Sequence, residues 1–207
     1  MKTRAVFLDA LGTLVELEPP WTRLACALPD AGDAPVEAAF RREMAYYREH
    51  AHEAVDAATL ADLRRRCAEL LSSELGREVD VETMMSSIRF HPAPDARPAL
   101  TRLRELGLTL ICVSNWDVSL PEVLDRAGVG GLLDRVVSSA AARASKPDPA
   151  IFQRALELAG CEPGEALHVG DTPEEDLAGA EAAGIPALLL GRDIASLGEI
   201  ELHLRTR

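Results

Sequence analysis

The sequence predicts an α/β fold, a parallel-sheet core interrupted near its start by an all-helical insertion. Three observations carry this. An apolar run with the length and the β-branched or aromatic content of a buried strand, Ala5-Val6-Phe7-Leu8, stops at Asp9 and a glycine turn. Residues 21 to about 90 then show only helical periodicity, and beyond Pro94 strand-like runs alternate with short helical patterns. That alternation implies right-handed crossovers and a parallel sheet covered on both faces.

Taken in order, Glu16 to Pro20 reads as a linker, because two prolines end any regular element. Val36, Ala39, Phe40, Met44 and Tyr47 recur at helical steps between Ala34 and Ala54, as do Leu60, Leu63, Cys67, Leu70 and Leu71 between Ala57 and Leu75. Gly76 suits a helix stop, and Asp80 suits the N-cap of a shorter helix reaching about Phe90. His91 to Pro94 is the second linker. A helix near Pro98 to Leu106 leads to the strand Leu108 to Val113, which ends at Ser114-Asn115. A helix from Leu120 to Ala127 leads to the strand Arg135 to Ser138, and one from Pro149 to Ala159 leads to Ala166 to Val169, which ends at Gly170-Asp171. The last pair is a helix near Pro173 to Ala183 and the strand Pro186 to Leu190; Arg192 to Arg207 carries no clear pattern.

The chain has 207 residues and a net charge of -12, with 22 Lys and Arg against 34 Asp and Glu. This balance argues against nucleic acid or an anionic membrane as a partner. It leaves open a small anion, since local cations, backbone amides or a metal can reverse the field inside one cleft. Cys26, Cys67, Cys112 and Cys161 have no metal-ligand spacing and read as reduced, mostly buried thiols. No apolar run reaches the roughly 20 residues that span a bilayer, and the start lacks a signal-type pattern. A cytoplasmic monomer or homodimer is expected.

In an open α/β sheet, ligands bind beyond the carboxyl ends of the strands. Here those ends carry Asp9, Ser114-Asn115 and Gly170-Asp171, with Asp176 five residues further and Lys146 in the loop before the Pro149 helix. Asp9 and Asp171 brought together would repel and so need a cation between them. Oxygen ligands favour Mg²⁺, which also accepts a phosphoryl oxygen. Lys146 supplies a point charge for the same anion, the Ser114 hydroxyl with nearby backbone amides supplies donors, and Asn115 is expected at the substrate. Asp9 is the expected nucleophile, because carboxylates form aspartyl-phosphates and this one adjoins the glycine turn.

The segments Phe7 to Leu14, Val113 to Asn115, Ser145 to Pro149 and Val169 to Asp176 resemble, in order and spacing, the four motifs of the haloacid dehalogenase-like hydrolases. The resemblance implies a Rossmann-like core of residues 1–15 and 91–207, with residues 16–90 as a helical cap of the C1 type. It implies Asp9 as nucleophile and Mg²⁺ ligand, Ser114 and Lys146 on the transferred phosphoryl group, and Asp171 as acidic ligand. Asp176 would act as an outer-shell or water-mediated ligand, and the Leu11 carbonyl would complete the site.

Leu11 is the departure. Phosphatases of this family usually carry a second Asp at that position for acid-base work, and losing such help typically costs about 10² to 10⁴ in rate. The haloacid dehalogenases proper also lack it, so the first motif alone leans toward carbon–halogen chemistry. The fourth motif leans the other way, because dehalogenation needs no metal and Asp171 and Asp176 are both present. The expectation is therefore a Mg²⁺-dependent phosphatase of a small phosphorylated metabolite. The alternatives are a dehalogenase-type hydrolase and a weakly active or non-catalytic binding protein.

Other residues carry blander expectations. Glu16, Glu18 and Asp117 read as solvated carboxylates, His50 and His52 as surface groups, and Arg64 to Arg66 as a solvated helix face. Arg41 and Arg42 lie on a cap helix and could meet a substrate anion. At least one of Tyr46 and Tyr47 belongs to the cap core. His168 is expected to be a satisfied buried histidine, and Trp116 to be packing or an entrance wall.

Overall fold

The computed structural model describes residues 2–30 and 32–205. Strand β1 (Ala5–Leu8) is followed by β2 (Val15–Leu17) and then by helices α1 (Pro20–Ala27), α2 (Asp33–His50), α3 (Ala57–Leu75) and α4 (Val81–Ser87). After β3 (Phe90–Pro92) come α5 (Ala96–Glu105), β4 (Thr109–Ser114), α6 (Leu120–Arg126), β5 (Arg135–Ser138), α7 (Ser139–Ala142) and α8 (Pro149–Ala159). The chain closes with β6 (Ala166–Gly170), α9 (Ala178–Ala182), β7 (Ala187–Leu189) and α10 (Ile200–Arg205).

The main sheet has the order β5-β4-β1-β6-β7, and every pairing in it is parallel. Central β1 has both faces covered, which is why it reads as an unbroken apolar run. Its side chains alternate: Val6 and Leu8 join the core shared with α5 and α6, while Ala5 and Phe7 join the core shared with α8 and α9. All four are fully buried, and burial of a Leu or Phe side chain stabilises by about 1.5–3 kcal/mol.

Helices α1 to α4 build a separate core from Leu24, Val36, Phe40, Leu63, Leu71 and Met84, among others. The Asp56 and Thr59 side chains form a reciprocal cap on α3, which ends at Gly76 in the left-handed conformation with φ of 61°. Asp80 caps α4 by accepting from the Thr83 amide at 2.7 Å. Among the described residues no helix is long and apolar enough to cross a membrane.

The structure corrects several boundaries. Helix α4 stops at Ser87 rather than near Phe90, because Ile88 already has extended backbone. Parts of both expected linkers are strands: Val15, Glu16 and Leu17 pair antiparallel with Pro92, His91 and Phe90. Three-residue strands, one of them ending in Pro92, carry no periodic signal. The expected helix from Pro173 to Ala183 opens with a wider π-helical turn over Pro173–Leu177. Helices α7 and α10 lie in stretches that had no assignment, while Thr206 and Arg207 lie outside the described residues.

Candidate active site

The site sits where β1, β4 and β6 end side by side. Asp9 follows β1 and is 5% exposed, with its amide bonded to the Val169 carbonyl at 2.9 Å. The next turn closes tightly, because the amides of Thr13, Leu14 and Val15 all converge on the Ala10 carbonyl. Gly12 in that turn has φ of 84°, and a Cβ there would land on the Asp171 carboxylate. Glycine is needed both for the backbone conformation and for this close approach.

Lys146 enters from the loop between α7 and α8. Its side chain is 1% exposed, with Nζ at 2.5 Å from Asp9 Oδ1 and 2.6 Å from Asp176 Oδ1. Asp176 Oδ1 also accepts from His168 Nε2 at 2.8 Å, and its Oδ2 accepts from the amides of Asp171 and Thr172 at 3.1 and 3.0 Å. The carboxylate is thereby saturated. A Cβ on Gly170 would strike this same carboxylate, so the strand end is shaped around it.

Burial opposes the charge of Asp176, but the His168 bond and the Lys146 ammonium more than reverse this and hold its carboxyl well below the usual range. Burial likewise opposes the charge of Lys146, and Asp9 with Asp176 overturns that and keeps the ammonium protonated. Asp171 behaves differently. Burial, then the charges of Asp9 and Asp176, push its carboxyl up. Glu175 is also pushed up, by burial and by Asp9 and Asp176 against the opposing pull of Lys146. The cluster thus keeps an excess of negative charge that one lysine does not cancel.

Asp9, Asp171 and Asp176 each offer a carboxylate oxygen, and these atoms lie within 4.8 Å of one another. That donor set, with the raised Asp171, suits a hard divalent cation. Because Asp176 is saturated by its protein partners, Asp9 and Asp171 have the oxygens open to direct contact. Asp171 is the exposed member of the trio.

Ser114 ends β4, the strand paired with β1, and is 3% exposed. Asn115, expected at the substrate, uses its carboxamide elsewhere. Its Oδ1 accepts from the Lys146 amide at 2.7 Å, and its Nδ2 donates to the Lys146 carbonyl at 3.0 Å and to Glu175 Oε2 at 2.9 Å. Leu11 is half-buried and packs against the core on the α5 side.

Among the remaining expectations, Asp117 is the clearest correction. It is 3% exposed and accepts from the Tyr47 hydroxyl at 2.8 Å and from the Ser119 amide at 2.6 Å. Burial, followed by the Asp117 charge, keeps the Tyr47 phenol well above its ordinary range. Arg41 pairs with Glu37 and lies over Trp21, and Arg42 pairs with Glu74, so both belong to the insertion's surface network. Glu18 pairs with Arg23, Tyr46 stacks on His50, and Arg65 and Arg66 pair with neighbouring acids. Trp116 is buried against Phe90.

His168 is buried as expected, edge-on to Phe152, although its Nδ1 has no partner. Its link to Asp176 and the place of Glu175 were both missed. The adjacent acids of Pro173-Glu-Glu-Asp176 were the available signal for Glu175.

A buried carboxylate, an ammonium and an exposed acid gather at the carboxyl ends of a parallel sheet, the place where α/β proteins bind their ligands. The haloacid dehalogenase-like hydrolase family model matches residues 3–184, and the chain belongs to that family. It is 41% identical to haloacid dehalogenase-like hydrolase domain-containing protein 3 of Bos taurus over 95 residues, 46% of this chain and 38% of that protein. It is 34% identical to a phosphoserine phosphatase of Thermus thermophilus over 122 residues, 58% of this chain and 49% of that enzyme. The chain thus spans less than half the length of these curated relatives. The solved L-2-haloacid dehalogenase of Xanthobacter autotrophicus shares the fold, with a TM-score of 0.76 over 99% of both chains at 23% identity.

Proposed function

We propose that this hydrolase is a Mg²⁺-dependent phosphatase of a small phosphorylated metabolite, acting through an aspartyl-phosphate on Asp9. The observation that carries the reading is the cluster of Asp9, Asp171 and Asp176 oxygens within 4.8 Å, with the Lys146 ammonium between Asp9 and Asp176. Asp9, Asp171 and the Leu11 carbonyl would hold the metal, with Asp176 acting through Lys146 or a water. When bound, Mg²⁺ would offset the acidic charge and polarise a phosphoryl oxygen.

The chain's own groups supply the rest. A carboxylate oxygen of Asp9 attacks phosphorus, the ester oxygen departs with its electron pair, and Lys146 and Ser114 stabilise the phosphoryl oxygens. Water then attacks the aspartyl-phosphate, releasing inorganic phosphate and restoring Asp9. Since Leu11 donates no proton, good leaving groups such as aryl or acyl phosphates are preferred. Residues 16–90 act as a cap that excludes water and selects the substrate.

Phosphate release from an aryl phosphate should require Mg²⁺ and disappear in Asp9→Asn. Silence of the wild-type protein across a broad phosphate-ester panel with Mg²⁺ would sink the reading. A second reading, carbon–halogen hydrolysis, is favoured by Leu11 alone. It predicts metal-independent chloride release from a 2-haloacid.

A further inference from the structure

We infer that Asn115 is a positioning residue for Lys146, a carboxamide that fixes the lysine's backbone so that its ammonium meets Asp9. The inference rests on the phosphatase reading for its kinetic consequence, though not for its geometry. Asn115 touches both polar groups of one peptide residue: Oδ1 accepts from the Lys146 amide at 2.7 Å, and Nδ2 donates to the Lys146 carbonyl at 3.0 Å. An N–H must face oxygen and a C=O must face the NH₂, so these contacts also settle which way the carboxamide points. The second Nδ2 hydrogen goes to Glu175 Oε2 at 2.9 Å. Both donors and the acceptor are therefore engaged, and the side chain is not free for a ligand.

The three contacts join three separate segments. Asn115 follows β4, a strand paired on both sides and thus a rigid frame. Lys146 lies in an irregular loop between α7 and α8, and Glu175 lies on the π turn that carries Asp176. A lysine ammonium sits on a flexible four-carbon stem, so its position at Asp9 depends on where its Cα is held. A clamp on the Lys146 amide and carbonyl supplies that restraint, and the link to Glu175 keeps the loop in register with Asp176. No other side chain of similar size does this. Serine cannot span both polar groups, and aspartate would set a carboxylate against Glu175 and the Lys146 carbonyl.

The sequence makes the test unusually direct, because Lys2 and Lys146 are its only lysines and Lys2 is exposed. In ¹⁵N-lysine-labelled full-length protein, the Lys146 ammonium should give a distinct, slowly exchanging NMR signal. Asn115→Ala should shift or broaden that signal and lower kcat/KM for an aryl phosphate by about 10²-fold, the effect of a displacement of about 1 Å at a reacting centre. Asn115→Asp should do at least as much.

The double variant N115D/E175Q is a second control. It leaves the net charge unchanged, keeps an acceptor for the Lys146 amide and reverses the hydrogen bond at position 175. Recovery of the Lys146 signal and of roughly tenfold in kcat/KM supports the clamp. An unmoved Lys146 signal in a folded Asn115→Ala protein overturns it. If the wild type releases no phosphate from any ester, the NMR comparison still decides the clamp, and only the phosphatase reading falls.

Discussion

The ammonium of Lys146 lies 2.5 Å from Oδ1 of Asp9, and both side chains are almost wholly removed from solvent. An ion pair so placed is held by each partner's need for the other, because an isolated buried charge is far more costly than the pair. Lys146→Met should therefore destabilise the fold by about 3–5 kcal/mol at neutral pH, measured by urea denaturation. Mg²⁺ should recover part of that loss by binding the acidic folded state. An unchanged midpoint would show that the buried ion pair adds nothing to the stability of the fold.

Leu11→Asp tests the missing proton donor. With the rest of the core competent, it should raise turnover of an alkyl phosphate by up to about 10²–10⁴, and that of an aryl phosphate much less. Leu11 packs against the core, so some stability is lost in exchange. Equal turnover of aryl and alkyl esters by the wild type would mean that another group already does the acid-base work.

Glu43 carries a prediction in the helical insertion. It is 4% exposed, and burial pushes its carboxyl above the ordinary 4.5, against a weaker pull from the Cys67 thiol. The folded state therefore holds this proton to higher pH than the unfolded chain does. Stability falls as pH rises from 4.5 through the raised folded value and is level above it with respect to this group. Glu43→Gln should abolish that slope and raise Tm at neutral pH by about 2–4 °C, the shift produced by ~1 kcal/mol in a chain of this size. Parallel Tm-against-pH curves for the two proteins would refute it.

What could be read from the chain followed local signals. Strand β1 was legible because both its faces are covered, and α3 because its apolar positions repeat over five turns before Gly76. The order of Asp9, Ser114, Lys146 and Asp171 was legible because each follows or precedes a regular element. What escaped depends on partners distant in sequence. Asp117 looks like a solvated acid until Tyr47, 70 residues earlier, is placed over it. Asn115 looks like a ligand contact until the Lys146 loop folds back onto it. The β2–β3 pairing escaped because neither strand is long enough to show a period.

That ribbon bears on how the family could diversify. Glu18 donates its amide to the Arg89 carbonyl at 2.9 Å, so the chain leaves the sheet and returns to it at the same point. A short turn could bridge these residues without altering any strand order. Helices α1 to α4 thus form a replaceable module, and lineages could exchange them while keeping the parallel sheet and its strand ends intact.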